Sequence, residues 1–78
     1  MKLTALFDTS AKYQLIETYG LDCFIETDKG LLFELCFTNR EFLIGWLLNF
    51  GDKVKVLEPG DIAEEIKTTA ENILSRYK

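Results

Sequence analysis

An α+β domain built on an antiparallel four-stranded sheet is what this sequence predicts, and three observations predict it. Period-two segments alternate with segments of helical spacing in the order strand, helix, strand, strand, helix, strand, helix. The two middle strand-like runs, Cys23 to Thr27 and Leu31 to Thr38, flank Asp28-Lys29-Gly30, the composition of a tight hairpin loop. Leu47 to Pro59 then reads as a helix stop, a short strand and a helix start in immediate succession. A chain of 78 residues with 47% hydrophobic content makes one domain, residues 1–78. At this size about 60–65% of the unfolded surface can be buried, which allows one modest core.

Each element has its own signature. Leu3, Ala5 and Phe7 alternate with Thr4, Leu6 and Asp8 as a first strand with one richer apolar face. Asp8, Thr9 and Ser10 are N-cap residues, and Ala11, Leu15, Ile16 and Tyr19 follow at helical spacing until Gly20 closes the first helix. In the hairpin, a three-residue loop with Gly30 left-handed would pair Thr27 with Leu31, Ile25 with Phe33 and Cys23 with Leu35. That register sends Ile25, Cys23, Phe33 and Leu35 to the core. It sends Phe24, Glu26, Leu32 and Glu34 to the other face.

Thr38 with Glu41 reads as a capping box, and Phe42, Leu43, Trp46, Leu47 and Phe50 form the apolar stripe of the second helix. Gly45 inside that helix points to close packing of its backbone on the sheet. Gly51 stops the helix in a left-handed conformation, Val54 and Val56 alternate with Lys53 and Lys55 as the last strand, and Pro59 ends it. Asp61 and Glu64 form a further capping pattern, with Ile62, Ile66, Ala70, Ile73 and Tyr77 on one face of a final helix. The whole is a ferredoxin-like βαββαβ arrangement plus a C-terminal helix. Right-handed crossovers place both early helices on one face, with the strands in the spatial order fourth, first, third, second.

Charge and cysteine usage narrow the function classes. A net charge of −4 argues against a surface made to neutralise phosphate, and disfavours acidic substrates and anionic membranes. No apolar run approaches the roughly 20 residues that span a bilayer, so a cytoplasmic location is expected. With no histidine and only Cys23 and Cys36, the usual zinc patterns and most Cys-His or Ser-His catalysis are excluded; no metal or cofactor is expected. The predicted register takes Cys23 away from its position opposite Cys36, which weakens a cross-strand disulfide, and both read as small buried or half-buried thiols.

Glu26 and Glu34 lie near each other across the predicted hairpin, but as a carboxylate pair they have no desolvating pocket and no second group of raised pKa. They read as part of a solvated face. Lys29-Gly30-Leu31-Leu32-Phe33 lightly matches a base-stacking RNA-recognition strand, and fails where Leu31 and Cys36 stand in place of aromatics. Trp46 sits on an apolar stripe and reads as core, and Tyr77 reads as an anchor for the last helix. No residue is assigned a catalytic role, and the chain is not expected to be an enzyme.

Trp46-Leu47-Leu48-Asn49-Phe50-Gly51-Asp52-Lys53-Val54-Lys55-Val56-Leu57-Glu58-Pro59, followed by a helix ending in Tyr77, resembles the C-terminal extension, or WCX domain, of bacterial WYL-domain transcriptional regulators of the DeoR-like group. Those regulators carry an upstream winged helix-turn-helix that binds DNA and a central WYL domain. The extension contributes to dimerisation and regulation. The resemblance implies that Trp46, Gly51, Val54, Val56 and Pro59 are a structural signature rather than a site. It also implies that DNA is contacted only through upstream domains and that the chain is a fragment or a stand-alone copy of the extension.

The expected partner is a second copy or a neighbouring WYL domain. Leu6, Phe24, Leu32 and Leu57 are the predicted contact residues, on the sheet face away from the two crossover helices, where Lys53 and Lys55 could meet Glu26 and Glu34 across a two-fold axis. The competing expectation is a small-molecule sensor of the ferredoxin-like type, with polar Asp8-Thr9-Ser10 offering amides at a helix start.

Overall fold

A computed structural model describes residues 2–78. Four strands, β1 (Lys2–Phe7), β2 (Phe24–Thr27), β3 (Gly30–Cys36) and β4 (Val54–Glu58), form one antiparallel sheet in the order β2-β3-β1-β4. Read from β4, this is the order expected from the crossovers. Helices α1 (Lys12–Tyr19), α2 (Arg40–Leu48) and α3 (Gly60–Arg76) complete the fold, with single 3-10 turns at Thr9–Ala11 and Gly51–Lys53.

The core forms on one face of the sheet. Leu3, Ala5 and Phe7 of β1 and Leu31 and Phe33 of β3 meet Leu15 of α1, Leu43, Ile44 and Leu47 of α2, and Ile62 of α3 in one buried cluster. All three helices therefore lie over the same face. Trp46, half-buried, packs against this cluster, with ring centroids 5.8 Å from Phe7, 5.7 Å from Tyr19, 5.6 Å from Phe33 and 5.1 Å from Phe50. The indole is thus packed as the apolar stripe predicted.

The hairpin departs from expectation by one residue. Thr27 pairs with Gly30, Glu26 with Leu31, Ile25 with Leu32 and Phe24 with Phe33, so the loop is the two residues Asp28 and Lys29. Thr27 closes it: its hydroxyl donates to the Gly30 carbonyl at 2.8 Å and accepts from the Lys29 amide at 3.2 Å. Because side chains alternate along a strand, this slip exchanges the two faces of β2. Phe24, opposite Phe33, packs half-buried against the core, and Ile25 is turned outward, 65% exposed. The larger aromatic wins the buried side. Glu26 follows Phe24's neighbour Leu31 toward the helices, where its carboxylate pairs with Lys12 at 2.7 Å.

Helix starts also shift. Asn39, not Thr38, caps α2: its side chain accepts from the Phe42 amide at 2.9 Å, which starts the helix one residue later than the capping box implied. Asn and Thr are both good caps, and the later start buries Ile44 while leaving Phe42 57% exposed. In α3, Asp61 lies in the first turn and Pro59 occupies the cap position without a side-chain bond. Asp61 and Glu65 instead accept from Arg40, at 2.7 Å to Asp61 Oδ2 and at 2.8 and 3.1 Å to Glu65 Oε1, tying α3 to α2. From Ala70 onward α3 is exposed, and Tyr77 is 85% exposed and anchors nothing. The cause is length, since 17 helical residues run about 25 Å and the five-residue β4 beneath them about 17 Å.

Gly45 is exposed, and a Cβ built there meets nothing within 4 Å, so the helix backbone does not press on the sheet at this point. Gly45→Ala is accordingly expected to stabilise the domain by about 1 kcal/mol, read as a melting temperature higher by roughly 4–8 °C. A lower melting temperature would show that the position is crowded.

Candidate functional site

With three helices on one face, the other face of the sheet is left to solvent among the described residues. Its layout follows from the register. Ile25 pairs with Leu32, Leu32 with Leu6, and Leu6 with Lys55, so one row of side chains crosses all four strands. Strands lie about 4.8 Å apart, which makes the row roughly 14 Å long. Leu6 and Leu32 are half-buried in its middle, Ile25 stands at one edge and Lys55 at the other. Leu57, 43% exposed, joins them where β4 steps out of register: Val56 pairs with Ala5 and Glu58 with Thr4, so Leu57 is the extra residue of a bulge.

Of the predicted contact residues, then, Leu6, Leu32 and Leu57 come together and Phe24 does not. Ile25 takes its place. Loop composition gave no signal for Ile25, because two-residue hairpin loops favour Gly or Asn at positive φ and neither Asp28 nor Lys29 has a positive φ; choosing the register required knowing that Phe24 packs against the core. Gly51 has the expected left-handed φ of +60, but α2 itself ends earlier, at Leu48 with Asn49 as its cap, and Gly51 opens the 3-10 turn that leads into β4. Val54 and Val56 turn toward the core and Pro59 leads into α3.

Polar groups border the row on both sides. Toward one end of the strands, Glu34 accepts from Thr4 at 3.5 Å and pairs with Lys2 at 3.4 Å. Toward the other end, Lys29 of the hairpin loop and Lys55 of β4 border a cleft of about 380 Å³ with Leu6, Leu32 and Leu57 as its floor. Lys53 belongs to the adjoining turn, where its carbonyl accepts from the Asp8 amide at 2.8 Å. Glu26 and Glu34 occupy opposite faces and form no pair. The charges available for a two-fold contact are therefore reduced from the four predicted to Lys55 and Glu34.

The Asp8-Thr9-Ser10 segment satisfies itself. The Asp8 carboxylate accepts from the Ser10 amide at 3.0 Å, and the bonds from Ser10 hold its pKa below the usual carboxylate value. Burial pushes the Cys23 thiol and the Tyr19 phenol up, which keeps both neutral. Hydrogen bonds from Arg40 hold Asp61 low. Cys23 and Cys36 are free thiols; Cys23 is half-buried as expected, whereas Cys36, the last residue of β3, is exposed rather than buried. Among the described residues no three His, Cys, Asp or Glu side chains are placed to hold a metal ion, and no helix is long and apolar enough to cross a membrane.

No curated protein and no solved structure matches the chain. A protein-family model does: the WCX domain, over residues 1–74, which includes the whole sheet, α1, α2 and most of α3. The chain therefore belongs to the WCX domain family.

Proposed function

We propose that this domain is the non-catalytic regulatory and dimerisation module of a cytoplasmic transcriptional regulator, and that two copies meet through the uncovered sheet face. Family membership supports the regulatory role. The observation that carries the contact is the row Ile25, Leu32, Leu6 with Leu57 beside it, a contiguous apolar strip where a solvated sheet face would alternate with polar residues. Lys55 at one side and Glu34 at the other give an isologous contact opposite charges to match. In this reading DNA is bound by upstream domains. The free end of α3, with Ile73, Leu74 and Tyr77 exposed, is available to a neighbouring WYL domain.

Leu32→Glu tests the contact. The residue is half-buried and outside the core cluster, so the variant should fold. It would set a carboxylate into the centre of a drying interface, and self-association is expected to weaken by about a hundredfold or more. In sedimentation velocity the 78-residue chain should dimerise with concentration and the variant should remain monomeric. A wild-type chain that stays monomeric near 1 mM, or a variant that dimerises equally well, would eliminate this face. The lysine-bordered cleft favours a second reading, recognition of a small effector by the same face.

A further inference from the structure

We infer that the cleft over Leu6, Leu32 and Leu57 is a binding site for a small amphipathic monocarboxylate, its hydrocarbon part on the leucines and its carboxylate between Lys29 and Lys55. The volume, about 380 Å³, lies within the range of roughly 300–1,000 Å³ typical of small-ligand sites. The floor is three leucine side chains drawn from β1, β3 and the bulge of β4, so it exists only in the folded register.

The border selects the headgroup. Among the described residues neither Lys29 nor Lys55 is in an ion pair, which is also true of Lys53, Lys67, Arg76 and Lys78; what sets these two apart is that both border the leucine-floored cleft. Two unpaired ammonium groups beside an apolar floor are a local exception on a chain of net charge −4. A neutral apolar ligand would leave them unused, and a cationic one would be repelled. Inorganic phosphate would make no use of the leucines. Asp28 borders the same cleft and leaves one net positive charge, which suits a single carboxylate better than a dianion. Lysine stems are long and flexible, so two heads on different elements can converge on one anion.

The site does not depend on self-association, but it shares Leu6, Leu32, Leu57 and Lys55 with the proposed contact between copies. A bound carboxylate would occupy the centre of that face, and its presence should disfavour the dimer by mass action.

The test is a titration of the isotopically labelled chain, kept dilute enough to be monomeric, with octanoate, 1-octanol and octylamine up to 2 mM. Octanoate is expected to shift the methyl resonances of Leu6, Leu32 and Leu57 and to bind about tenfold more tightly than octanol, the effect of two partly screened charge contacts. Lys29→Gln with Lys55→Gln should bring octanoate down to the level of octanol, whereas arginine at both positions should keep the preference. All four lysine substitutions lie at exposed positions, and unchanged unfolding curves would confirm intact folding. Absence of shifts at the three leucines, octanol or octylamine binding as tightly as octanoate, or indifference to the glutamine pair would each overturn the site. A chain that never dimerises, yet binds octanoate with this lysine dependence, would remove the contact between copies and leave the cleft standing.

Discussion

Phe33→Ala is expected to remove about 3–5 kcal/mol of stability, enough to leave the domain near its unfolding threshold. Phe33 is fully buried in β3, one of the two central strands, with Phe7 edge-on at 5.5 Å and the rings of Tyr19 and Trp46 at 5.7 and 5.6 Å. Its removal opens a cavity that three neighbouring rings and the backbone of a paired strand cannot close. For 78 residues the total stability is of order 4–12 kcal/mol, so this one side chain decides about a quarter or more of it. With a urea slope of about 1–1.5 kcal/mol/M, the midpoint should fall by roughly 2–5 M. Trp46, the single tryptophan, reports the transition by fluorescence because its environment is this same cluster. Phe33→Leu should recover about half of the loss. A change below about 1 kcal/mol for the alanine variant would mean that the aromatic cluster is loosely packed.

The features legible in the sequence are those set by spacing within one segment. Leu3, Ala5 and Phe7 alternate, and all three are buried. Leu43 and Leu47 are four apart on α2 and both reach the core, and Gly51 and Pro59 bound the last strand as punctuation should. What spacing could not supply is any choice settled between segments. Phe24 and Ile25 compete for the core side of β2, and the outcome depends on which of them the pairing sets opposite buried Phe33 of β3. Asp61 suits a cap in isolation, yet its carboxylate is taken by Arg40 from a helix that lies 21 residues away in sequence.

The candidate site shows the same division. Leu6, Leu32 and Leu57 were recognisable as outward positions, because each alternates with a residue that must be inward. Their assembly into a row, and the arrival of Ile25 and the two lysines beside it, required the pairing register and the β4 bulge. A register error of one residue is thus more costly to a functional reading than to a fold reading. It leaves the strand order intact and exchanges the side chains offered to a partner.

Gly30→Ala is expected to be the most damaging single-methyl change in the chain, at about 3 kcal/mol or more. Two costs coincide there. Gly30 has φ +138, a backbone region that side-chain-bearing residues enter at a cost of roughly 1–3 kcal/mol. A Cβ would also stand 2.5 Å from the Phe7 carbonyl oxygen, so β3 and β1 would have to separate at the edge of the core. Gly51 provides the comparison, since its φ of +60 is also left-handed but a Cβ there meets nothing within 4 Å. Gly51→Ala should therefore lose only the conformational part, about 1 kcal/mol. The difference between the two urea midpoints combines the steric contact with the more restricted backbone region of Gly30, and equal losses would show that β1 and β3 do not approach so closely. The alanine chain has one other escape, a slip of the hairpin into the three-residue loop. That would pair Thr27 with residue 31 and exchange Phe24 with Ile25. Nuclear Overhauser contacts between Phe24 and Phe33 should persist in Gly30→Ala under native conditions, because burial of the Phe24 ring opposes the slip.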